Sequence, residues 1–264
     1  MQAVSVSLLL CLFTIAYGFP ETKIAGGKVA PAGMFPYIVS LRKEGKHFCG
    51  GSIISSRFVL TAASCVKGLS ESVQATVHAG TNLLNQEGDA YYIMIVTYHS
   101  GFNETSLIND IALVGIVGEI AFNNLVQPIP LATGGNTYEG SKCVLSGWGK
   151  IKGDGHGSSK LQYIDLLVQK QSECKQVHSN LQDTNICTFT KYGEGIFKGD
   201  AGNPLVVNGV QVGVVSYGRP SATRYPDVYT RVSSFESWVE KAKNTVSIGR
   251  NAEQEDVTTI FLKK

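Results

Sequence analysis

The chain has 264 residues, of which 43% are hydrophobic and 17% charged, and its formal net charge at pH 7 is +2. This composition supports a large buried core and excludes a disordered or fibrous protein. Because the net charge is close to zero, we expect neither a nucleic acid nor a membrane as partner. The sequence shows no pattern typical of a cofactor or metal site, so we expect neither.

The N-terminal residues form an apolar segment. Residues 3–18 read AVSVSLLLCLFTIAYG, which is too short to span a bilayer comfortably, and Ala16 and Gly18 stand at the small-x-small spacing of a signal peptidase site. We therefore predict a signal peptide over residues 1–18 and a secreted, extracellular protein. The alternative is a buried N-terminal strand or helix.

The rest of the chain alternates short β-branched and aromatic runs with turns rich in Gly, Asn and Ser. This pattern is typical of antiparallel β-barrels. Ser233 and Glu236 form a capping box ahead of apolar residues at helical spacing, which predicts a helix over residues 233–246. Residues 248–264 are mostly polar, and we predict a disordered tail, with docking by its segment 259–262 as the alternative.

One stretch carries a family resemblance. Residues 193–204 read GEGIFKGDAGNP, which resembles the nucleophile loop GDSGGP of the chymotrypsin-like serine proteases. Three other places match that family: IAGG from Ile24, LTAASC from Leu60 and NDIAL from Asn109. The resemblance covers residues 24–247 and implies an all-β domain of two six-stranded barrels, at about 24–128 and 129–232. Residues 19–23 would then be a short propeptide.

The resemblance also identifies the three positions of the catalytic triad. Ser64 stands where LTAAHC has histidine, Ala201 stands where GDSGGP has serine, and Asp110 keeps the aspartate of NDIAL. A serine protease needs the serine hydroxyl to attack and the imidazole to carry the proton. We therefore expect the chain not to be an enzyme. The backbone N–H groups of Gly199 and Ala201 are expected to form an anion hole.

A substrate-like pocket is also implied by the resemblance. Gly195 takes the floor position where trypsin-like members carry aspartate, and Asp227 takes a nearby floor position that is usually glycine. This exchange resembles insect chymotrypsin-like members and hints at an arthropod source. Lys198 would lie at the rim, and Ser216, Tyr217 and Gly218 would pair with a polypeptide backbone. The alternative for Asp227 is a solvated turn residue.

An activation switch is implied by Lys23 and Ile24. Cleavage between them would release an ammonium at Ile24 that pairs with Asp200, as in the family, and orders the anion-binding loop. We expect this cleavage to raise the affinity for a partner, because order established in advance lowers the entropic cost of binding. The alternative is that Lys23 is only a solvated charge.

The cysteines are expected to form disulfides in a secreted protein. The resemblance implies the pairs Cys49 with Cys65 and Cys174 with Cys187. Cys143 is left over, either as a free thiol or as an intermolecular bridge, and the protein is otherwise expected to be a monomer. Asn103 begins an N-x-T sequon, which predicts a glycosylation site.

Three functions remain open from the sequence. The first is a secreted, inactive serine protease homologue that binds a protein partner, such as a substrate, an inhibitor or a protease-cascade component, in a venom or haemolymph setting. The second is a serine-type endopeptidase with residual or unconventional activity. The third is a secretory product with no specific partner.

Overall fold

The computed structural model describes residues 27–70, 74–149, 158–191, 194–218, 225–248 and 256–262. The predicted signal peptide 1–18, the propeptide 19–23 and Ile24 lie outside these ranges. Within them, no helix is both long and apolar enough to cross a membrane.

Strands dominate the described chain. In chain order they are β1 (Lys28–Val29), β2 (Ile38–Lys43), β3 (Lys46–Ile53), β4 (Phe58–Thr61), β5 (Ala75–Ala79), β6 (Asp89–His99), β7 (Ala112–Ile116), β8 (Lys142–Gly147), β9 (Gln162–Leu167), β10 (Asn185–Thr188), β11 (Pro204–Val207), β12 (Val210–Tyr217), β13 (Asp227–Arg231) and β14 (Val257–Phe261). The α-helices are α1 (Ala63–Val66), α2 (Gln171–Val177) and α3 (Glu236–Ile248).

The first sheet closes into a barrel. Its strand order is β14-β6-β5-β2-β3-β4-β7, and an additional antiparallel pairing between β6 and β7 closes the ring of six. Its interior is filled by small and β-branched side chains, among them Val39, Val59, Val77 and Val114, which are fully buried. The predicted first barrel of six strands is confirmed, and β14 is a seventh strand added to the outside of β6.

The second sheet differs from the predicted six-stranded barrel. It has seven strands in the order β1-β9-β8-β11-β12-β13-β10. The seventh is β1, which pairs with β9. With two residues, β1 is too short to leave a periodic signal in the sequence. An isolated bridge between Val168, which follows β9, and Thr188 of β10 joins the two ends of the other six strands. The mostly β fold with a C-terminal helix is as expected.

The C-terminal helix packs where the two sheets meet. A 3₁₀ turn over Val232–Phe235 precedes α3, so the regular helix begins at Glu236, later than the capping box predicts. Its apolar face contacts Leu60 and Leu113 of the first sheet and Val214 of the second in one buried cluster. The helix therefore fixes the relative position of the strands that carry the candidate site.

The prediction of a disordered tail is wrong for residues 257–261. This segment forms β14, which pairs antiparallel with β6 from Val257 opposite His99 to Phe261 opposite Ile95. The indole Nε1 of Trp238 donates a hydrogen bond to the carbonyl of Asp256 at 2.7 Å. The apolar residues Val257 and Leu262 are buried, so the polar average of the tail concealed a short strand-forming segment.

Candidate functional site

Asp110 is the centre of the candidate site. Its side chain is fully buried, at the junction between the first barrel and the second sheet. The backbone N–H of Ser64 donates to its Oδ1 at 2.7 Å, and the Ser64 hydroxyl donates to its Oδ2 at 3.0 Å. From the second sheet, Ser216 Oγ donates to the same Oδ2 at 2.6 Å, and Thr230 Oγ1 donates to the Asp110 carbonyl at 2.7 Å.

Burial and these contacts have opposite effects on the pKa of the Asp110 carboxyl group. Burial raises the pKa of Asp110, and hydrogen bonds from Ser216, Ser64 and the Ala63 backbone oppose that rise. The side chains that contact the carboxylate here are neutral. Position 64 thus faces the buried carboxylate with a side-chain donor, as a base in a catalytic triad would, but a serine hydroxyl lacks a pKa near neutrality.

The Asp200 loop, residues 195–204, precedes and enters β11 of the second sheet and forms hydrogen bonds with strands of both sheets. Gly50 N in β3 donates to the Ala201 carbonyl at 2.9 Å, and Gly202 N donates to the Val215 carbonyl in β12 at 2.9 Å. Gly199 has φ +102°, a backbone conformation that favours glycine. The Ala201 side chain is half-buried and ends in a methyl group, so this position offers no hydroxyl nucleophile.

The predicted anion hole uses the backbone N–H groups of Gly199 and Ala201. No hydrogen bond to the N–H of Gly199 or of Ala201 is found within the described part of the chain. Asp200 between them is fully buried. Ile24, the other member of the predicted activation pair, lies outside the described residues.

Asp227 is the residue predicted for the floor of the pocket. Its side chain is 6% exposed in β13, so it is not a solvated turn residue. Ile196 N donates to its Oδ2 at 2.7 Å. A Cβ atom on either Gly195 or Gly218 would overlap its carboxylate, which explains the need for glycine at both positions. Burial raises the pKa of Asp227 to about 7, opposed by the Ile196 N–H and assisted by the charge of Asp200.

Two other predicted pocket residues, Lys198 and Tyr217, differ in their exposure to solvent. Lys198 is exposed, as expected for a rim residue. Tyr217 is half-buried at the end of β12 and packs edge-on against the His178 ring, with ring centroids 5.8 Å apart. Tyr217 also borders a cavity of about 240 Å³, and Lys198 with Gly199 borders another of about 610 Å³.

His47 is a neighbour of the site that the family motifs do not include. Its ring nitrogens contact Ser40 Oγ at 2.9 Å and the carbonyl of Gly199 at 3.0 Å. Burial lowers the pKa of this imidazole. Its proximity could have been inferred from its place two residues before Cys49, since the Cys49 disulfide partner directly follows Ser64. Because both ring nitrogens have hydrogen-bond partners, His47 links Ser40 of β2 to the Asp200 loop and stabilises that loop.

The structure contains the two disulfides that the resemblance implies, Cys49 with Cys65 and Cys174 with Cys187. Cys143 is free and 1% exposed. An intermolecular bridge through Cys143 is therefore wrong for this fold, because its sulfur does not reach the surface. Asn103 is exposed in a turn, where its Oδ1 accepts from two following backbone N–H groups.

No group of three His, Cys, Asp or Glu residues that could hold a metal ion occurs in the described ranges. The described site presents hydrogen-bond donors and carboxylates. Two groups can receive a ligand: the N–H groups of the Asp200 loop suit an anion or a carbonyl oxygen, and Asp227 suits a cation.

Comparisons with known proteins agree with this geometry. Residues 24–239 match the sequence profile of the family described as Trypsin. Chymotrypsin-2 from Vespa crabro is 49% identical over 218 residues, which cover 83% of this chain and 99% of that protein. Trypsin delta from Drosophila melanogaster is 36% identical, over 83% of this chain and 88% of the relative. The solved structure of human heparin binding protein is 31% identical with a TM-score of 0.75, and the match covers 84% of this chain and 97% of that one.

These comparisons contradict one prediction. The expectation that the chain is not an enzyme is overturned by relatives named as chymotrypsin and trypsin, which are proteases. The identities of two side chains, Ser64 and Ala201, do not by themselves decide the activity of the whole protein.

Proposed function

Because the chain belongs to the trypsin family, we propose that it is a secreted protein that binds an extended polypeptide, as substrate or inhibitor, in the cleft between its two sheets. Secretion is supported by the two disulfides and by the apolar segment at residues 3–18. The insect relatives support an arthropod setting, of which venom and haemolymph are the two we propose.

The free edge of β12 is the observation that carries this proposal. β11 pairs with β12 only as far as Val214, and two loop hydrogen bonds extend the contact to Val215. Beyond that point, residues 216–218 have no strand partner on this edge within the described chain. An exposed strand edge of this kind binds an extended peptide as an added strand.

The two cavities extend the same line of contact. One borders Tyr217 at the end of β12, and the other borders Gly199 and Lys198 in the Asp200 loop. An extended chain laid along the free edge would pass the Asp227 pocket and then the N–H groups of Gly199 and Ala201. These N–H groups would receive a peptide carbonyl, since no described group occupies them.

The pocket indicates the side chain that the cleft prefers. A buried carboxylate with one N–H donor is poorly compensated as an anion, so a cation that reaches it gains a strong charge-assisted hydrogen bond. We therefore propose a preference for Lys or Arg. In an inhibitor pair that differs only by Lys or Leu at the contact residue, Asp227→Asn should abolish the preference for Lys.

Binding is tested with a matched pair of glycine variants. Gly218→Val places a side chain against Asp227 and Ile196, whereas Gly135→Val places the same side chain into open space. Titration calorimetry with a rigid-loop protein inhibitor of serine proteases should show binding by the unmodified protein and by Gly135→Val, and at least tenfold weaker binding by Gly218→Val. Equal affinities for all three, or no binding at all, would contradict the proposal, and no binding would favour a secretory product without a partner.

A second function, serine-type endopeptidase activity at a residual or unconventional level, is favoured by the names of the relatives, Chymotrypsin-2 and trypsin delta. The similar solved structure is instead that of a protein named for heparin binding. Mass spectrometry of a bound peptide over time separates the two. Hydrolysis that is lost in Gly218→Val and kept in Gly135→Val would assign the activity to this cleft and not to a contaminant.

A further inference from the structure

Asn203 is a buried amide that neither the resemblance nor the catalytic positions explain. It stands where the GDSGGP pattern has its last glycine, and its side chain is fully buried. Its Nδ2 donates to Asp200 Oδ1 at 3.2 Å. Its Oδ1 is buried without a hydrogen-bond partner in the described ranges, which works against folding. An apolar side chain could fill this position without leaving a buried polar atom unpaired, so packing alone does not explain the amide.

The surroundings of Asn203 are built from both sheets. A Cβ atom on Gly50 of β3 or on Gly147 of β8 would overlap the amide, so glycine at these two positions makes room for it. The Asn203 backbone is held as well, because its N–H donates to the Asp200 carbonyl and its carbonyl accepts from Val215 N at 2.9 Å. The side chain is therefore fixed at the junction of the two sheets.

The Asp200 carboxylate is held by donors from within the folded domain. Gly149 N donates to Oδ1 at 2.8 Å and Phe197 N donates to Oδ2 at 3.0 Å, in addition to the Asn203 amide. Burial raises the pKa of Asp200 to about 6, and the three donors oppose that rise. None of them requires a free amino terminus at Ile24.

We propose that Asn203 is a positioning residue that holds the Asp200 loop in its ordered shape from inside the domain, before as well as after cleavage at Lys23. The amide ties Asp200 to the junction of the sheets. The N–H groups of Gly199 and Ala201 then keep their positions in the precursor. Cleavage is not the switch for partner binding.

Hydrogen exchange tests this inference without any ligand, so its failure is distinguishable from a failure of the binding proposal. Four full-length proteins are compared: the uncleavable Lys23→Gln precursor and the cleaved form, each with Asn203 or with Asn203→Ala. With Asn203, loop amide exchange over residues 195–204 should agree within about twofold between precursor and cleaved form. With Asn203→Ala, the precursor loop should exchange at least tenfold faster than the cleaved loop. Both forms then keep only the backbone donors Gly149 and Phe197 for Asp200, and the cleaved form alone can add the Ile24 ammonium as a charged partner.

The controls separate positioning from general stability. Thr188→Val removes one buried hydrogen bond, to Tyr229 in the second sheet, and does not touch Asp200. It should leave the two forms equal in loop exchange. Asn203→Gly is the second variant, should the alanine variant fold poorly. The inference is overturned if the loop with Asn203 exchanges tenfold faster in the precursor than in the cleaved form. It is also overturned if both Asn203 variants leave precursor and cleaved loops alike.

Discussion

Ser64 donates two hydrogen bonds to Asp110, from its backbone N–H to Oδ1 at 2.7 Å and from its hydroxyl to Oδ2 at 3.0 Å. The side chain at position 64 is thereby aimed at a buried carboxylate on one side and is exposed to the cleft on the other. An imidazole placed at this position would find the carboxylate that orients it already in place.

The first prediction concerns peptide hydrolysis. Ala201→Ser alone should raise the rate less than about tenfold, because Ser64 cannot take the proton of the new hydroxyl. The double variant Ser64→His with Ala201→Ser should raise it by about a thousandfold or more, since a positioned base contributes roughly 10²- to 10⁴-fold. Rates are measured on Lys, aromatic and aliphatic peptide substrates, with Ser64→His as the control. A single Ala201→Ser variant as fast as the double variant would contradict the role given to position 64.

The second prediction is a pH dependence of stability caused by Asp227. Its pKa of about 7 in the fold lies above the ordinary value of 3.8, so the folded state holds a proton that the unfolded state has released. Stability is then favoured at low pH and falls as the pH rises from about 4 through 7. At pH 8 the free energy of unfolding of Asp227→Asn, measured by denaturant titration, should exceed that of the unmodified protein by about 1 kcal/mol or more.

The comparison at acid pH is the control for this prediction. At pH 4 the Asp227 carboxyl is neutral, so the advantage of Asp227→Asn should shrink or vanish. Asp200, with a pKa raised to about 6, contributes in the same direction in both proteins, so the difference between them reports Asp227 and its repulsion with Asp200. An advantage of equal size at pH 4 and pH 8 would show that the carboxylate is not the cause.

The third prediction concerns Cys143. Burial raises the pKa of its thiol to about 12, with a further contribution from Asp165, so the reactive thiolate is scarce and shielded. A thiol reagent should leave Cys143 unlabelled in the native protein and label it after unfolding without reduction. Non-reducing electrophoresis should show a monomer. A dimer that reduction converts to monomer and Cys143→Ser abolishes would rule this out.

The fourth prediction concerns the C-terminal strand. Leu262 is 7% exposed and packs against the core of the first barrel, so Leu262→Ala should lower the free energy of unfolding by roughly 2 kcal/mol or more. Thr258→Ala, at a half-buried position of β14, which Leu262 directly follows, should lower it much less. Denaturant titration measures both. Should the two variants prove equally harmless, β14 would add nothing to the stability of the barrel.

The sequence predicted the fold and the position of the triad residues because each depends on local motifs. It missed what depends on packing across the chain. His47 is 152 residues from Gly199 in sequence, and their contact appears only when the two sheets meet. Asn203 differs from the family's glycine by one side chain, and its role depends on glycines in two other strands. The polar composition of the tail predicts disorder. Its strand is not recognisable locally, because β14 pairs with β6, more than 150 residues earlier.

Polypeptide binding along the free edge of β12 is the central claim, and a hydrogen-exchange footprint of the complex tests it most directly. Those backbone amides of residues 216–218 that point to the free edge, and the amides of Gly199 and Ala201, should become protected when a Lys-containing protein inhibitor binds. The added strand and the bound carbonyl accept their hydrogen bonds. Amides on the outer face of α3 should not change. An inhibitor that binds tightly yet leaves residues 216–218 exchanging as in the free protein would contradict the proposed cleft.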